Sequence, residues 1–188
     1  MMPTPIGHSL AGLLLSKTKI FVPSRSTYKS IAVAMILANL ADADFVPGLL
    51  SGNPNEFHHG VTHSVGASFF VGFLFAGYFF YRQRRFLAPF IFATVGYSSH
   101  IVFDFFAVDT SMPRGIPALW PFSPEYFISP IAVFSDVRRS AASGTFFQSL
   151  FIAHNGWTVC REMLVLAPML LIVQIRRYLK GRIVQLND

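Results

Sequence analysis

Seven residues in this chain have the side chains of metal ligands and share one placement: His8, Asp42, Asp44, His58, His63, His100 and Asp104 all fall at the ends of apolar segments. Imidazole nitrogens and carboxylate oxygens together suit zinc or another divalent first-row ion. His100 and Asp104 are spaced i, i+4, which puts both on one face of a helix. On its own that spacing also describes a polar pair at a helix end bonded to a neighbouring carbonyl. The stretch HHGVTHS, residues 58–64, brings three histidines close together, and Gly60 allows a tight bend between them. His59 is a further candidate ligand, although it could instead bind a phosphate or face water. Thr62 or Ser64 could cap the helix that follows.

Asp42 and Asp44 close an apolar segment, where carboxylates oppose the helix macrodipole. A bound cation would remove that penalty. One of the two acids could ligate or bridge metals while the other orients a water, so both are candidate catalytic groups as well as ligands. Glu162 is another candidate ligand; its alternative is an ion pair with Arg161 or Arg139. His154 has no partner at helical spacing. Serine-nucleophile chemistry is not supported, because no serine sits in a GxSxG context. Neither a phosphate-binding loop nor a dinucleotide fingerprint is present.

The elements that must position these residues follow from hydropathy. Residues 6–15 form an apolar run of about ten residues, too short for a ~30 Å hydrocarbon core, and predict an interfacial or partly inserted helix. Pro5, His8 and Ser9 suit its start. A basic linker over 21–30 leads to a second segment, 31–40, which runs into Asp42 and Asp44 and stops at Pro47-Gly48. Residues 51–57 read as a loop by their Gly, Pro and Asn content. Segments 65–81 and 86–106 are long enough to span, and the short RQRR connection makes them antiparallel neighbours. Residues 109–136 are irregular and rich in Pro and aromatics. There Trp120, Phe122, Tyr126 and Phe127 suit a membrane–water interface. Residues 138–143 read as a loop, and a last apolar segment over 163–175 ends in a basic tail.

The predicted fold is therefore all-α: a membrane-embedded bundle of about four to five apolar helices in a single domain over residues 1–188, with a metal site at one rim. The 188 residues are 53% hydrophobic and only 13% charged, too apolar for an ordinary soluble domain. The formal charge of +6 does not point to nucleic acid, because Lys17, Lys19, Arg25, Lys29, Arg82 to Arg85 and Arg176 to Arg182 flank apolar runs. That is the pattern of cytoplasmic anchoring. It predicts a multi-pass protein of a cell membrane, the bacterial inner membrane, with the candidate site on the extracytoplasmic side. A single cysteine, Cys160, excludes an intrachain disulfide and a cysteine-based zinc cluster. No cleavable-signal pattern is expected at the N-terminus.

These motifs together resemble the YdjM-type family, whose members are membrane-associated and classed as metal-dependent hydrolases. The matching stretches are His8-Ser9, LADAD (40–44), HHGVTHS (58–64), SSHIVFD (98–104) and GIPALWPFS (115–123), in order and over about two-thirds of the chain. The chain departs from the family pattern at Ala41, where proline is usual, and at His59, where arginine is usual. The family is more distantly similar to zinc-dependent phospholipase C, an all-helical protein with clustered zinc ions. That resemblance maps an early His, an Asp, a His and an HxxxD onto His8, Asp44 or Asp42, His63 or His58, and His100 with Asp104. A further HxxxE has no counterpart, since Thr158 stands four residues before Glu162. The resemblance implies one or two ions, zinc or manganese, and hydrolysis of a phosphoester by metal-activated water. Location at a membrane rim implies membrane lipids as partners, and a lipid or other amphiphile as substrate. A non-catalytic metal-binding protein, a sensor or assembly factor, is the alternative, and a metal or proton transporter is a third. No feature of the sequence defines an oligomeric state.

Overall fold

The computed structural model describes residues 2–18 and 28–186, with side chains up to residue 179. Most of the basic linker over 21–30, Lys19 and Arg25, and the side chains of Lys180 and Arg182 lie outside the described residues. Seven α-helices lie among the described residues: α1 Pro5–Lys17, α2 Tyr28–Asn39, α3 Phe45–Ser51, α4 Val65–Gln83, α5 Leu87–Phe105, α6 Ser143–Ser149 and α7 Ala153–Leu186. Short 3₁₀ turns at Leu40–Asp44 and Val61–His63 precede α3 and α4. There is no strand among the described residues; isolated bridges join Ala107 to Phe134 and Ile116 to Phe127.

The helix ends follow local chemistry. Thr4 caps α1, its hydroxyl accepting from Gly7 N–H at 3.2 Å, and Pro5 occupies the first turn, where a missing N–H costs nothing. Ser64, not Thr62, caps α4, accepting from Ala67 N–H at 3.1 Å. Arg84 closes α4 in the left-handed conformation, φ 57°, and donates its N–H to Phe80. The tight RQRR connection then lays α5 back along α4.

α5 is the central helix and packs against α1, α2 and α4. Its buried face, Ala93, Gly96, Tyr97, His100, Ile101 and Asp104, is small and polar where α1 and α2 approach. Close approach also decides Gly12 of α1: a Cβ there would lie 2.6 Å from the Ala34 carbonyl oxygen of α2. Among the described residues, three stretches are long and apolar enough to cross a membrane: Tyr28–Ser51, Val65–Gln83 and Ala153–Leu179. α5 matches α4 in length, but its C-terminal half carries Ser98, Ser99, His100 and Asp104, and it falls outside that group. α1, at 13 residues and about 20 Å, is short of the bilayer core, as its sequence predicts. The outer faces of α4 and α7 expose Phe70, Phe73, Leu74, Leu164 and Leu171. Lipid, not water, suits a surface of that kind.

The last helix differs from its sequence reading. Hydropathy outlines only 163–175, whereas α7 begins ten residues earlier at Ala153 and continues through the basic tail. The added first turns are polar, with His154, Asn155, Thr158 and Glu162 on the side facing protein, so they carry no apolar signal. α6 lies in a stretch that hydropathy does not mark at all.

Candidate metal centre

Four separate pieces of chain meet at one end of the bundle. α1 brings His8, the turn after α2 brings Asp42 and Asp44, the bend before α4 brings His58, His59 and His63, and α5 brings His100 and Asp104. Asp109 follows α5. His8, His63 and His100 are fully buried, and Asp104 is nearly so. The loop 115–123 covers this end. Ala118 and Trp120 accept from the first N–H groups of α4, at 2.8 and 3.0 Å, and Ile116 sits in the core with Ala41, Tyr97 and Ile101. Gly115 allows this path, with φ 91° and the Phe127 carbonyl against it.

Four of the imidazoles share one arrangement. His100 Nδ1 lies 2.8 Å from the Ala38 carbonyl, which can only accept, so Nδ1 carries the proton. His63 Nδ1 faces the Thr62 hydroxyl at 3.0 Å and Asp44 Oδ2 at 3.2 Å. His58 Nδ1 faces Asp44 Oδ1 at 3.1 Å, and His59 Nδ1 faces Asp109 Oδ2 at 3.5 Å. Each Nδ1 is thus oriented by an acceptor, which leaves Nε2 as the ligand atom; metal-binding histidines are ordinarily held this way. Thr62 is itself held: its hydroxyl donates to Asp44 at 2.9 Å, and Tyr97 donates to its carbonyl at 2.7 Å.

The Nε2 atoms converge. His63 and His100 Nε2 are 3.2 Å apart. Asp104 Oδ2 lies 3.1 Å from His100 Nε2 and 3.4 Å from His63 Nε2. Asp42 Oδ1 lies 3.4 and 3.6 Å from the same two atoms. His8 stacks on His100 with ring centroids 3.8 Å apart, and its Nε2 is 3.4 Å from Asp104 Oδ1. Both oxygens of Asp42 and of Asp104, and both nitrogens of His8, are buried with no hydrogen-bond partner among the described residues. Orphaned buried polar atoms are costly, and two imidazole lone pairs 3.2 Å apart repel. Ligands about 2.0–2.1 Å from a tetrahedral ion stand about 3.3–3.4 Å from one another. The separations here, 3.1 to 3.6 Å, match that edge.

Among the described residues, four groups of three ligand atoms lie within 4.8 Å of one another: His8, His100 and Asp104; Asp42, His63 and His100; Asp42, Asp44 and His58; and His58, His59 and His63. The donor set, nitrogen and oxygen only, can hold a divalent ion; Cys160 is exposed. Among the described residues, the ion pairs of Asp42, Asp44 and Asp104 are all with imidazoles.

Burial favours the neutral imidazole at His8, His58 and His59. Burial pushes His8 and His59 below the ordinary histidine range, and pushes His58 down to about 3. His63 goes the other way: burial lowers it, but the Asp42 and Asp44 carboxylates together outweigh burial and hold it above its ordinary value. Burial raises Asp109, but contacts from His59, Ser111 and the Gly115 N–H outweigh it and hold the carboxyl well below the usual range.

Glu162 stands apart from the four donor groups. Its carboxylate accepts from the Thr4 N–H at 2.5 Å and from the Thr4 hydroxyl, and lies against Gly7, so it ties α7 to the start of α1. Neither expected arginine pairs with it: Arg161 donates to Ser135 at 2.9 Å, and Arg139 to Asn55 at 2.8 Å. His154 finds Asp136, 3.3 Å away and outside the cluster. Asp109, Thr62 and Tyr97 are site residues that the sequence did not reveal. Asp109 had one available signal, an acid five residues after the HxxxD helix pair.

An all-helical membrane protein with a buried His/Asp cluster able to hold metal is the class that this fold and site define. The profile of the YdjM inner membrane protein family matches residues 2–182, and the chain belongs to that family. It is 35% identical over 137 residues to the inner membrane protein YbcI of Escherichia coli (strain K12), covering 69% of this chain and 73% of that protein. No solved structure matches it.

Proposed function

We propose that the protein is a membrane-bound, metal-dependent hydrolase that cleaves a phosphoester of a lipid or other amphiphile. The observation that carries this reading is the set of orphaned buried ligand atoms at tetrahedral-edge spacing around His63 and His100. Either His8, His100 and Asp104 or Asp42, His63 and His100 would hold an ion; His100 has one free nitrogen and serves one of the two sets. The nitrogen and oxygen ligands favour zinc, with manganese as the other choice. When bound, such an ion lowers the pKa of a water and stabilises charge on phosphoryl oxygens.

The chain's own residues have separable parts in this reading. Ala38, Thr62 and Asp44 fix the tautomers of His100, His63 and His58. Asp42, with both oxygens unpartnered, is placed to take a proton from water as general base. Asp44, engaged by His58, His63 and Thr62, orients them instead. Trp120 and Phe122, 40% and 88% exposed on the covering loop, suit the headgroup layer and would let a lipid reach the site without leaving the bilayer. The RQRR connection after α4 lies at the other end of that helix from His63, and Arg176 and Arg177 stand late in α7. Positive charge away from the cluster supports a site on the extracytoplasmic side.

Full burial of His8, His63 and His100 also suits a closed site without a water position, as in a metal sensor or assembly factor. One experiment tests both readings. Protein purified in neutral detergent is assayed for metal by elemental analysis and for metal-dependent turnover of a phosphoester panel, beside a His100→Ala/Asp104→Ala double variant. One or two equivalents of metal with turnover, both lost in the variant, supports the hydrolase. Metal without turnover supports the closed site, and absence of metal after reloading refutes both.

A further inference from the structure

A cavity of about 220 Å3 opens beside the cluster, and nothing above gives it a task. Its walls include Asn55, His58, His59, Met112, Tyr126 and Arg139. His58 and His59 form its boundary with the donor cluster; their side chains are 4% and 8% exposed, and neither Nε2 has a hydrogen-bond partner among the described residues. Arg139 stands at the same cavity and is held from two sides. Its Nε donates to Asn55 Oδ1 at 2.8 Å, and its guanidinium lies 4.8 Å from the centroid of the Phe45 ring. Phe45 in turn stacks on His58, with centroids 4.1 Å apart.

These contacts set the plane of the guanidinium but do not use its fork. Among the described residues, no carboxylate lies within ion-pair distance of Arg139, and Nε alone donates a hydrogen bond. A half-buried guanidinium with nothing opposite its terminal nitrogens is poorly compensated unless a ligand supplies oxygens. Planar forks of this kind suit phosphoryl and carboxylate groups. The mouth is of a different character: Met112 is 83% exposed and Tyr126 is 40% exposed. The cationic Arg139 and the exposed apolar surface of Met112 and Tyr126 thus line one cavity beside the ligand cluster.

We propose that this cavity binds the phosphoryl group of an anionic amphiphile, with the Arg139 fork on the phosphoryl oxygens and the apolar remainder along Met112 and Tyr126. The inference deepens the hydrolase reading, because it places the phosphoryl group against His58 and His59 at the edge of the ligand cluster. Binding itself does not need a metal. Asn55 and Phe45 are positioning residues for Arg139.

The test is a 31P NMR titration of monohexyl phosphate into the full chain in neutral detergent, metal-loaded and chelator-stripped, with inorganic phosphate as a second probe. Saturable binding of hexyl phosphate is expected in both preparations, weakened at least tenfold by Arg139→Ala, which removes charge-assisted hydrogen bonds. Met112→Glu, an exposed position where substitution leaves packing intact, places a negative charge at the mouth and is expected to weaken binding several-fold. Arg161→Ala, outside the cavity, leaves it unchanged. Hexyl phosphate binding more tightly than inorganic phosphate supports an amphiphile; equal affinity overturns the apolar half of the proposal. Lack of saturable binding, or equal binding by wild type, Arg139→Ala and Met112→Glu, overturns it entirely. Should Arg139→Ala fail to fold, Met112→Glu decides alone. Arg139-dependent binding in a protein without metal-dependent turnover sinks the hydrolase reading and leaves this one. Turnover with Arg139-independent binding does the reverse.

Discussion

Asp104→Asn isolates the metal from the fold. The side chain keeps its shape and loses its charge, at a position where one oxygen lies 3.1 and 3.4 Å from His100 and His63 and the other 3.4 Å from His8. Altering a group that merely orients a ligand costs about 10–100-fold in metal affinity. Asp104 faces three imidazoles directly, so a loss of at least about 100-fold is expected. Metal stabilises the folded protein by RT ln(1 + [L]/Kd), so a 100-fold weaker Kd removes about 2.7 kcal/mol of that stabilisation at saturating ion. For a chain of this size each kcal/mol moves Tm by about 2–4 °C. The metal-induced rise in Tm should therefore shrink by about 5–11 °C in the variant. Scanning fluorimetry in neutral detergent, with zinc and after chelation, measures it, with elemental analysis alongside. Asp136→Asn, which alters the separate His154 pair, is the control and should behave as wild type. A metal-induced rise and metal content in Asp104→Asn equal to wild type would refute the assignment of this cluster.

Metal affinity should fall as pH is lowered: His63 is held above its ordinary value, so below that raised pKa a proton must leave before an ion binds, up to tenfold per pH unit. His58 and His59, pushed down by burial, add no such proton near neutrality; calorimetry in buffers of different ionisation enthalpy counts the proton released, and a count of zero between pH 6 and 8 contradicts the arrangement. Thr4→Val removes the hydroxyl donor to Glu162 and keeps the backbone N–H, a loss of about 1–3 kcal/mol in unfolding stability, whereas Glu162→Gln should keep its metal content; loss of metal in Glu162→Gln would make Glu162 a ligand after all. Gly12→Ala brings a Cβ to 2.6 Å from the Ala34 carbonyl and should lower Tm through about 1–3 kcal/mol of overpacking at unchanged metal stoichiometry; an unchanged Tm would show that α1 and α2 can separate at little cost.

Much of the site was legible because its side chains are rare in apolar sequence. Ionisable groups in such segments are costly and stand out, and His8, Asp42, Asp44, His58, His63, His100 and Asp104 do meet at one end of the bundle. α4 and the first half of α5 were equally plain: both are apolar, and the RQRR turn ends one helix before the other begins. α7 was only half legible. Its first turns bury Asn155, Thr158 and Glu162 against protein, and a polar helix face turned to protein has no hydropathy signature.

Residue types, the alternation of apolar segments and the sidedness of charge were determined by the sequence alone, since burial in lipid and attraction to one face act on each segment independently. Which carboxylate serves which imidazole was decided by the tertiary structure. Asp44 goes to His58, Asp109 to His59, Glu162 to Thr4 across 158 residues of chain, and Arg139 to Asn55 across 84. Those pairings depend on how each helix is rotated about its axis and how closely Gly12 and Gly115 let backbones approach. Neither quantity is local, so neither can be read from spacing along the chain.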